Sequence, residues 1–161
     1  MSRTLLHVAT DWPGHFPNGA ATVAALIEAG ADVEAPGGVI GGGTPLADAV
    51  AFGQWQAARR LVERGARTTL WQAAALGLQA RAEEHFAADP TPALDEVTNA
   101  FWCACHGGQR LTAEYLLGRD ADLNWIGYDG LTPMDAARRS GAGELVEWLR
   151  SKGARSAKER G

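Results

Sequence analysis

The sequence predicts an all-α protein, a helical solenoid of about five helix-turn-helix repeats. A threonine is followed nine residues later by a glycine in three segments, TPLADAVAFG (44–53), TTLWQAAALG (68–77) and TPMDAARRSG (132–141). Each segment precedes a second stretch with helical patterning that ends near a Gly-Ala pair. Recurrence at a period of roughly 20 to 50 residues is the sequence signature of stacked repeats.

The first helix of each repeat is expected to begin at its threonine. Thr44 and Thr132 are each followed by proline. A threonine at the N-cap accepts an unpaired backbone N–H, and a proline at the first helical position has no N–H to lose. The spacing recurs in TNAFWCACHG (98–107), and a further copy begins at Thr4.

The second helix of each repeat is predicted to bury an aliphatic pair. The pairs are Leu26-Ile27, Leu61-Val62, Leu116-Leu117 and Leu145-Val146. The phrases that follow them, GADVE (30–34), GAR (65–67), DADLN (120–124) and GAR (153–155), suit a helix that ends with a left-handed residue. One repeat cannot bury its apolar face alone, so neighbouring repeats are expected to stack.

These TPL, Ala-Ala-x-x-Gly and GADV phrases, together with the aliphatic pairs, resemble the ankyrin repeat. The resemblance implies one ankyrin repeat domain over 1–155 and a polar, frayed C-terminal tail at 156–161. The first repeat is expected to be irregular because WPGHFPNG (12–19) is inserted into it, and the third because almost no hairpin remains between Gly65 and Thr68. The implied repeats are about 1–35, 36–67, 68–94, 95–127 and 128–155.

Charge and hydropathy exclude several classes of function. The formal net charge of −4 gives no basic field to neutralise phosphates, so no nucleic acid partner is expected. No apolar run reaches the roughly 18 residues of a membrane span, and the N-terminal residues lack the apolar core of a secretory signal. We therefore expect a cytoplasmic protein with no membrane partner.

Two segments with chemically active residues are interpreted as structural. GGVIGGGT (37–44) approximates a phosphate-binding loop but lacks the lysine, which favours an inter-repeat hairpin. Cys103 and Cys105 are separated by one residue, which is poor geometry for a disulfide. On a helix their side chains would point about 200° apart, so they could not bind one metal ion together. Cys103 is expected to be buried, and Cys105 and His106 to be exposed. No metal, cofactor or catalytic residue is predicted.

The first repeat leaves an alternative function open. The resemblance implies that His7, which matches the histidine of the family's TPLH phrase, forms hydrogen bonds between repeats. The alternative is a small-molecule or enzyme site at the inserted loop, with the Trp12 ring as one wall of a pocket that holds His7, Asp11 and His15.

The leading hypothesis is a protein-interaction module with a protein partner. In ankyrin stacks the first helices and the hairpin fingers form a concave face, and aromatic residues on such a face anchor interfaces. Trp125 and Tyr128 on the full-length finger NWIGYDG (124–130) are separate candidate contacts. The first repeat, which no polar cap precedes, is expected to allow self-association. The residues expected on the concave face are Trp12, Phe52, Leu76, Trp102 and His106.

Overall fold

The computed structural model describes residues 3–11 and 18–161, and the regular structure of these residues is helical. Contacts between residues group into two compact units, Met1–Thr68 and Thr69–Gly161. Within the described ranges, no helix combines the length and the apolar character that crossing a bilayer requires.

The described part of the first unit contains two helix pairs. They are α1 (Leu5–Thr10) with α2 (Gly19–Glu28), and α3 (Pro45–Ala51) with α4 (Trp55–Glu63). The first helices of the pairs pack together, α1 against α3, and the second helices do the same, α2 against α4. Apolar side chains such as Leu6, Leu46 and Leu61 are fully buried between them.

The second unit continues the pattern with three helix pairs and a short last helix. They are α5 (Leu70–Leu76) with α6 (Gln79–Ala87), α7 (Leu94–His106) with α8 (Arg110–Leu117), α9 (Pro133–Arg139) with α10 (Gly143–Ser151), and α11 (Ala157–Arg160). Helix α7 packs against both α5 and α9, and α6 packs against α8. This repeated stacking confirms the predicted all-α fold of helix-turn-helix repeats.

Threonine residues cap the N-termini of α3 and α9, as the Thr-Pro pairs predicted. The Thr44 and Thr132 hydroxyls each accept the backbone N–H three residues further on, at 3.4 and 3.3 Å. The aligned Thr98 does not cap a helix, because α7 begins one turn earlier, at Leu94. The Thr98 hydroxyl instead accepts the N–H of Asp122 at 3.0 Å.

The same turn ends the first helix in four of the repeats. A glycine adopts the left-handed conformation, and the next N–H donates to the carbonyl five residues before it, over 2.8 to 3.1 Å. These glycines are Gly53, Gly77, Gly108 and Gly141, with φ of 68°, 69°, 70° and 72°. In the fourth repeat the predicted position was Gly107, so the register of α7 is shifted by one residue. Gly107 lies where α7 approaches α5, and a side chain there would overlap the Ala75 carbonyl.

The phrases after the second helices link consecutive repeats within each unit. Asp122 accepts the N–H of Asn124 at 2.9 Å, and the Asn124 side chain accepts the N–H of Arg155 at 2.7 Å. The same arrangement occurs in the first unit. There Asp32 accepts the N–H of Glu34 at 2.9 Å, and the Glu34 side chain accepts the N–H of Arg67 at 2.7 Å. The predicted left-handed ends are present at Gly30, Gly65, Asp120 and Gly153.

The C-terminal segment forms one helical turn, α11, where the sequence predicted a frayed tail. Ser156 caps this turn, and the N–H of Ala157 donates to the Asp135 carboxylate at 2.8 Å. Burial acts to raise the pKa of Asp135, but hydrogen bonds from Ala157 and Thr132 and the charge of Arg138 outweigh it and lower the pKa. The tail is therefore held by a carboxylate that stays ionised at neutral pH.

The glycine-rich segment 37–44 forms the predicted hairpin, closed by backbone hydrogen bonds of 2.8 and 2.9 Å. The fully buried Asp48 carboxylate accepts the N–H groups of Val39, at 3.1 Å, and Ile40, at 2.9 Å. A carboxylate of the chain itself therefore occupies the amide groups that a phosphate would need.

Replacing Asp48 with asparagine is expected to lower the free energy of unfolding by about 1 to 3 kcal/mol, because one hairpin N–H loses its acceptor. Urea unfolding followed by circular dichroism measures this change. The control is Glu63→Gln, at an exposed ion pair of α4, which should change stability by less than about 1 kcal/mol. An equal effect of the two substitutions would contradict the role given to Asp48.

Candidate functional site

The segment 124–131, which we call the finger, connects α8 to α9 in the second unit. The Gly127 N–H donates to the Leu131 carbonyl at 2.9 Å, and a short 3-10 turn lies between them. Asp129, at the tip, forms an ion pair with Arg139 of α9 at 2.7 Å. These contacts close the finger and connect its tip to α9.

Aromatic rings fix the finger on α7. The Trp102 side chain is 3% exposed, and its indole N–H donates to the Leu131 carbonyl at 2.9 Å. Its ring meets Tyr128 edge to face, with centroids 5.1 Å apart, and stacks on His106 at 5.5 Å. Trp125 meets Tyr128 edge to face at 6.0 Å. Such ring pairs contribute about 0.5 to 1.5 kcal/mol each beyond their buried area.

The outer surface of this cluster is apolar and open to solvent. Tyr128 is 53% exposed and Ile126 is 45% exposed, while Trp125 is half-buried. We call these three residues the finger patch. The Tyr128 hydroxyl donates to Asn99 Oδ1 at 2.7 Å, so the ring is held at both ends. Partial burial, and secondarily Cys103, raises the pKa of Tyr128, which keeps the hydroxyl protonated at neutral pH.

Three residues predicted on the exposed face are buried, so the expectation of their exposure was wrong. They are Leu76, Trp102 and His106. In α7 the left-handed turn falls at Gly108 instead of the preceding glycine, which turns Trp102 toward the finger that covers it, and the Trp102 ring in turn stacks on His106. Leu76 lies in the last turn of α5, a helix that packs against α7.

Two further residues, Phe52 and Trp12, were predicted on the concave face. Phe52 is half-buried at the end of α3 in the first unit, and Trp12 lies outside the described residues. Ile126 and Asn99 were not predicted. Ile126 stands between the two predicted finger residues and is apolar, a signal in the sequence that could have identified it.

His7 has the structural role that the family resemblance implied. Its side chain is fully buried, Nδ1 accepts the Thr4 N–H at 3.2 Å, and Nε2 donates to the Gly43 carbonyl at 3.0 Å. This bond joins the first repeat to the second. Both ring nitrogens are therefore engaged in holding the fold.

The other residues of the alternative small-molecule site do not support that site. Asp11 forms an ion pair with Arg3, and Trp12 and His15 lie outside the described residues. An open cavity of about 460 Å³ lies elsewhere in the first unit, between small residues of α2 and the polar side chains of α4.

The two cysteines are free, buried thiols. Burial raises the pKa of Cys103 to about 12, and burial together with Cys103 raises the pKa of Cys105. Protonated thiols are poor nucleophiles and metal ligands. In the described ranges, no three His, Cys, Asp or Glu side chains converge as a metal site would require. The prediction that Cys105 is exposed was therefore wrong. The cytoplasmic location of the protein stays a prediction.

Adding a methyl group at Gly127 is expected to loosen the finger. A Cβ atom there would lie 2.5 Å from Trp125 Cζ3 and 2.9 Å from Trp102 Cδ1. We expect Gly127→Ala to lower the free energy of unfolding by about 1 to 3 kcal/mol and to weaken the near-ultraviolet circular dichroism of the aromatic rings. The control Gly143→Ala, which has open space around it, should be at least as stable as the original chain. Unchanged stability and spectrum for Gly127→Ala would contradict the packing of the finger on Trp102.

Comparison with solved structures gives similarity at the level of the fold. No protein-family model and no curated protein matches the sequence. The crystal structure of the human ASB11 ankyrin repeat domain is similar with a TM-score of 0.48 and 22% sequence identity, over 95% of this chain and 71% of that chain.

Proposed function

We propose that this chain is a protein-interaction module that binds a protein partner through the finger patch. The observation that supports this most directly is the exposure of Tyr128 and Ile126 on a finger that Trp102 holds in place. Aromatic side chains surrounded by partly buried neighbours are the usual anchors of protein interfaces.

The rigidity of the finger favours binding. Association costs about 0.5 to 1.5 kcal/mol for each flexible side chain that it immobilises. Tyr128 is already held by Asn99 and by its ring contacts, so a partner would meet a surface that needs little ordering.

The predicted contact residues divide into two roles in this proposal. Trp125 and Tyr128 touch the partner, while the buried Trp102 and His106 support them from below. Leu76 is buried and is no longer proposed as a contact. Phe52 remains a separate candidate contact of the first unit.

Removing the exposed ring is expected to abolish most of the affinity. Peptides selected on the chain from a phage-displayed random library should bind the Tyr128→Ala variant about tenfold or more weakly, measured by fluorescence anisotropy. The Ile126→Ser variant, which leaves the aromatic contacts in place, should weaken the same peptides.

The matched control is Leu111→Ala, which removes a more exposed apolar side chain from α8. It should leave the affinity unchanged, and circular dichroism should show all variants folded. Peptides that bind Tyr128→Ala and the original chain equally well, or a selection that enriches none, would contradict the proposal.

We also propose that the first repeat mediates self-association. On α1, Leu5 is 68% exposed and Val8 is 51% exposed, and their spacing of three residues places both on one face of the helix. An exposed apolar face of this kind can be covered by the same face of a second chain.

Sedimentation velocity tests the self-association. The original chain should sediment as a concentration-dependent dimer, and a Leu5→Glu, Val8→Glu double variant as a monomer, because each interface would have to bury four added carboxylates. Val39→Glu, at an exposed hairpin residue of the same unit, is the control and should behave like the original chain. A monomer at every concentration of the original chain would contradict the proposal.

A further inference from the structure

Two carboxylates lie on the exposed face of α7, one helical turn before Asn99, which contacts the finger patch. Asp95 and Glu96 precede Asn99 by four and three residues, which places all three on one side of the helix. Asn99 in turn accepts the Tyr128 hydroxyl at 2.7 Å. One helical turn rises about 5.4 Å. If one side chain of a ligand contacts Tyr128, a neighbouring side chain of the same ligand can therefore reach the carboxylates.

These carboxylates have capacity for a further ligand. Asp95 Oδ1 accepts the N–H of Glu96 at 3.0 Å, and Glu96 Oε2 accepts the N–H of Ala93 at 2.8 Å. The structure describes every residue of the second unit, and neither Asp95 nor Glu96 forms an ion pair there. Both side chains are exposed, so each offers its second oxygen to solvent.

The electrostatic balance at this point is negative. The start of α7 contributes a partial charge of about +0.5 from the helix dipole, which is smaller than the two full negative charges. Five arginines of the second unit are already engaged elsewhere. Arg110, Arg138, Arg139 and Arg150 pair with acidic side chains, and Arg119 lies over the Phe86 and Tyr115 rings.

We infer that the finger patch binds a protein segment that carries an apolar side chain next to a lysine or arginine. The apolar side chain contacts Tyr128 and Ile126, and the cation reaches Asp95 and Glu96. This inference rests on the proposed function of the patch. Single-stranded nucleic acid also stacks on aromatic rings, but its phosphates would be repelled by the same two carboxylates.

Peptides selected on the original chain from the phage-displayed library test the inference. We expect them to carry Lys or Arg within about four residues of an aliphatic or aromatic residue, one helical turn. The Asp95→Asn, Glu96→Gln double variant should bind them about fivefold more weakly at 0.05 M salt, and little differently at about 0.5 M, where charges are screened. Both substitutions keep a side-chain oxygen for the backbone bonds of the helix start.

The control is the Glu83→Gln, Glu84→Gln double variant, which removes an exposed acidic pair from α6 and changes the net charge by the same amount. It should leave the affinity unchanged at both salt concentrations. Acidic or uncharged selected peptides, or equal affinities for the two double variants, would overturn the inference while leaving the proposed function intact. Loss of the proposed function is recognised separately, because Tyr128→Ala would then bind every peptide as well as the original chain at both salt concentrations.

Discussion

The left-handed turn between paired helices determines which side of each first helix is buried. Successive residues of an α-helix point about 100° apart, so moving the last helical residue by one position rotates the whole set of side chains. In α7 the turn at Gly108 directs Phe101 and Cys105 inward and leaves Trp102 facing the finger. The finger patch depends on this register, because Trp102 is the surface on which Tyr128 rests.

Sequence reasoning succeeded where the signal was local. A threonine cap followed by proline, or a glycine after the last helical turn, acts on backbone groups within five residues of itself, so the pattern predicts the structure directly. It failed where two adjacent residues satisfy the same rule. Gly107 and Gly108 can each follow the last helical turn, and although Gly107 fits the nine-residue spacing from Thr98, the choice between them depends on how closely α7 approaches Ala75 of α5. That contact between repeats cannot be inferred from the spacing within one repeat.

The candidate site could be predicted only in part for the same reason. Trp125 and Tyr128 were identified because they stand on a recognisable finger. The contacts that assign their roles join residues far apart in the sequence, since the bonds from Tyr128 to Asn99 and from Trp102 to Leu131 each span 29 residues. Composition shows that aromatic side chains are present, but tertiary packing decides which one supports the finger and which one meets solvent.

Burying Trp102 changes what kind of binding surface the chain can offer. An exposed tryptophan would supply a larger contact area, but the finger above it would lose its support and would have to be ordered on binding. The observed arrangement completes that ordering during folding and leaves a smaller surface of Tyr128, Ile126 and part of Trp125. A small apolar surface gives limited discrimination between partners, because many segments carry an apolar side chain. For the proposed partner, specificity would therefore depend on the polar rim, where unpaired charges such as those of Asp95 and Glu96 favour some segments and repel others.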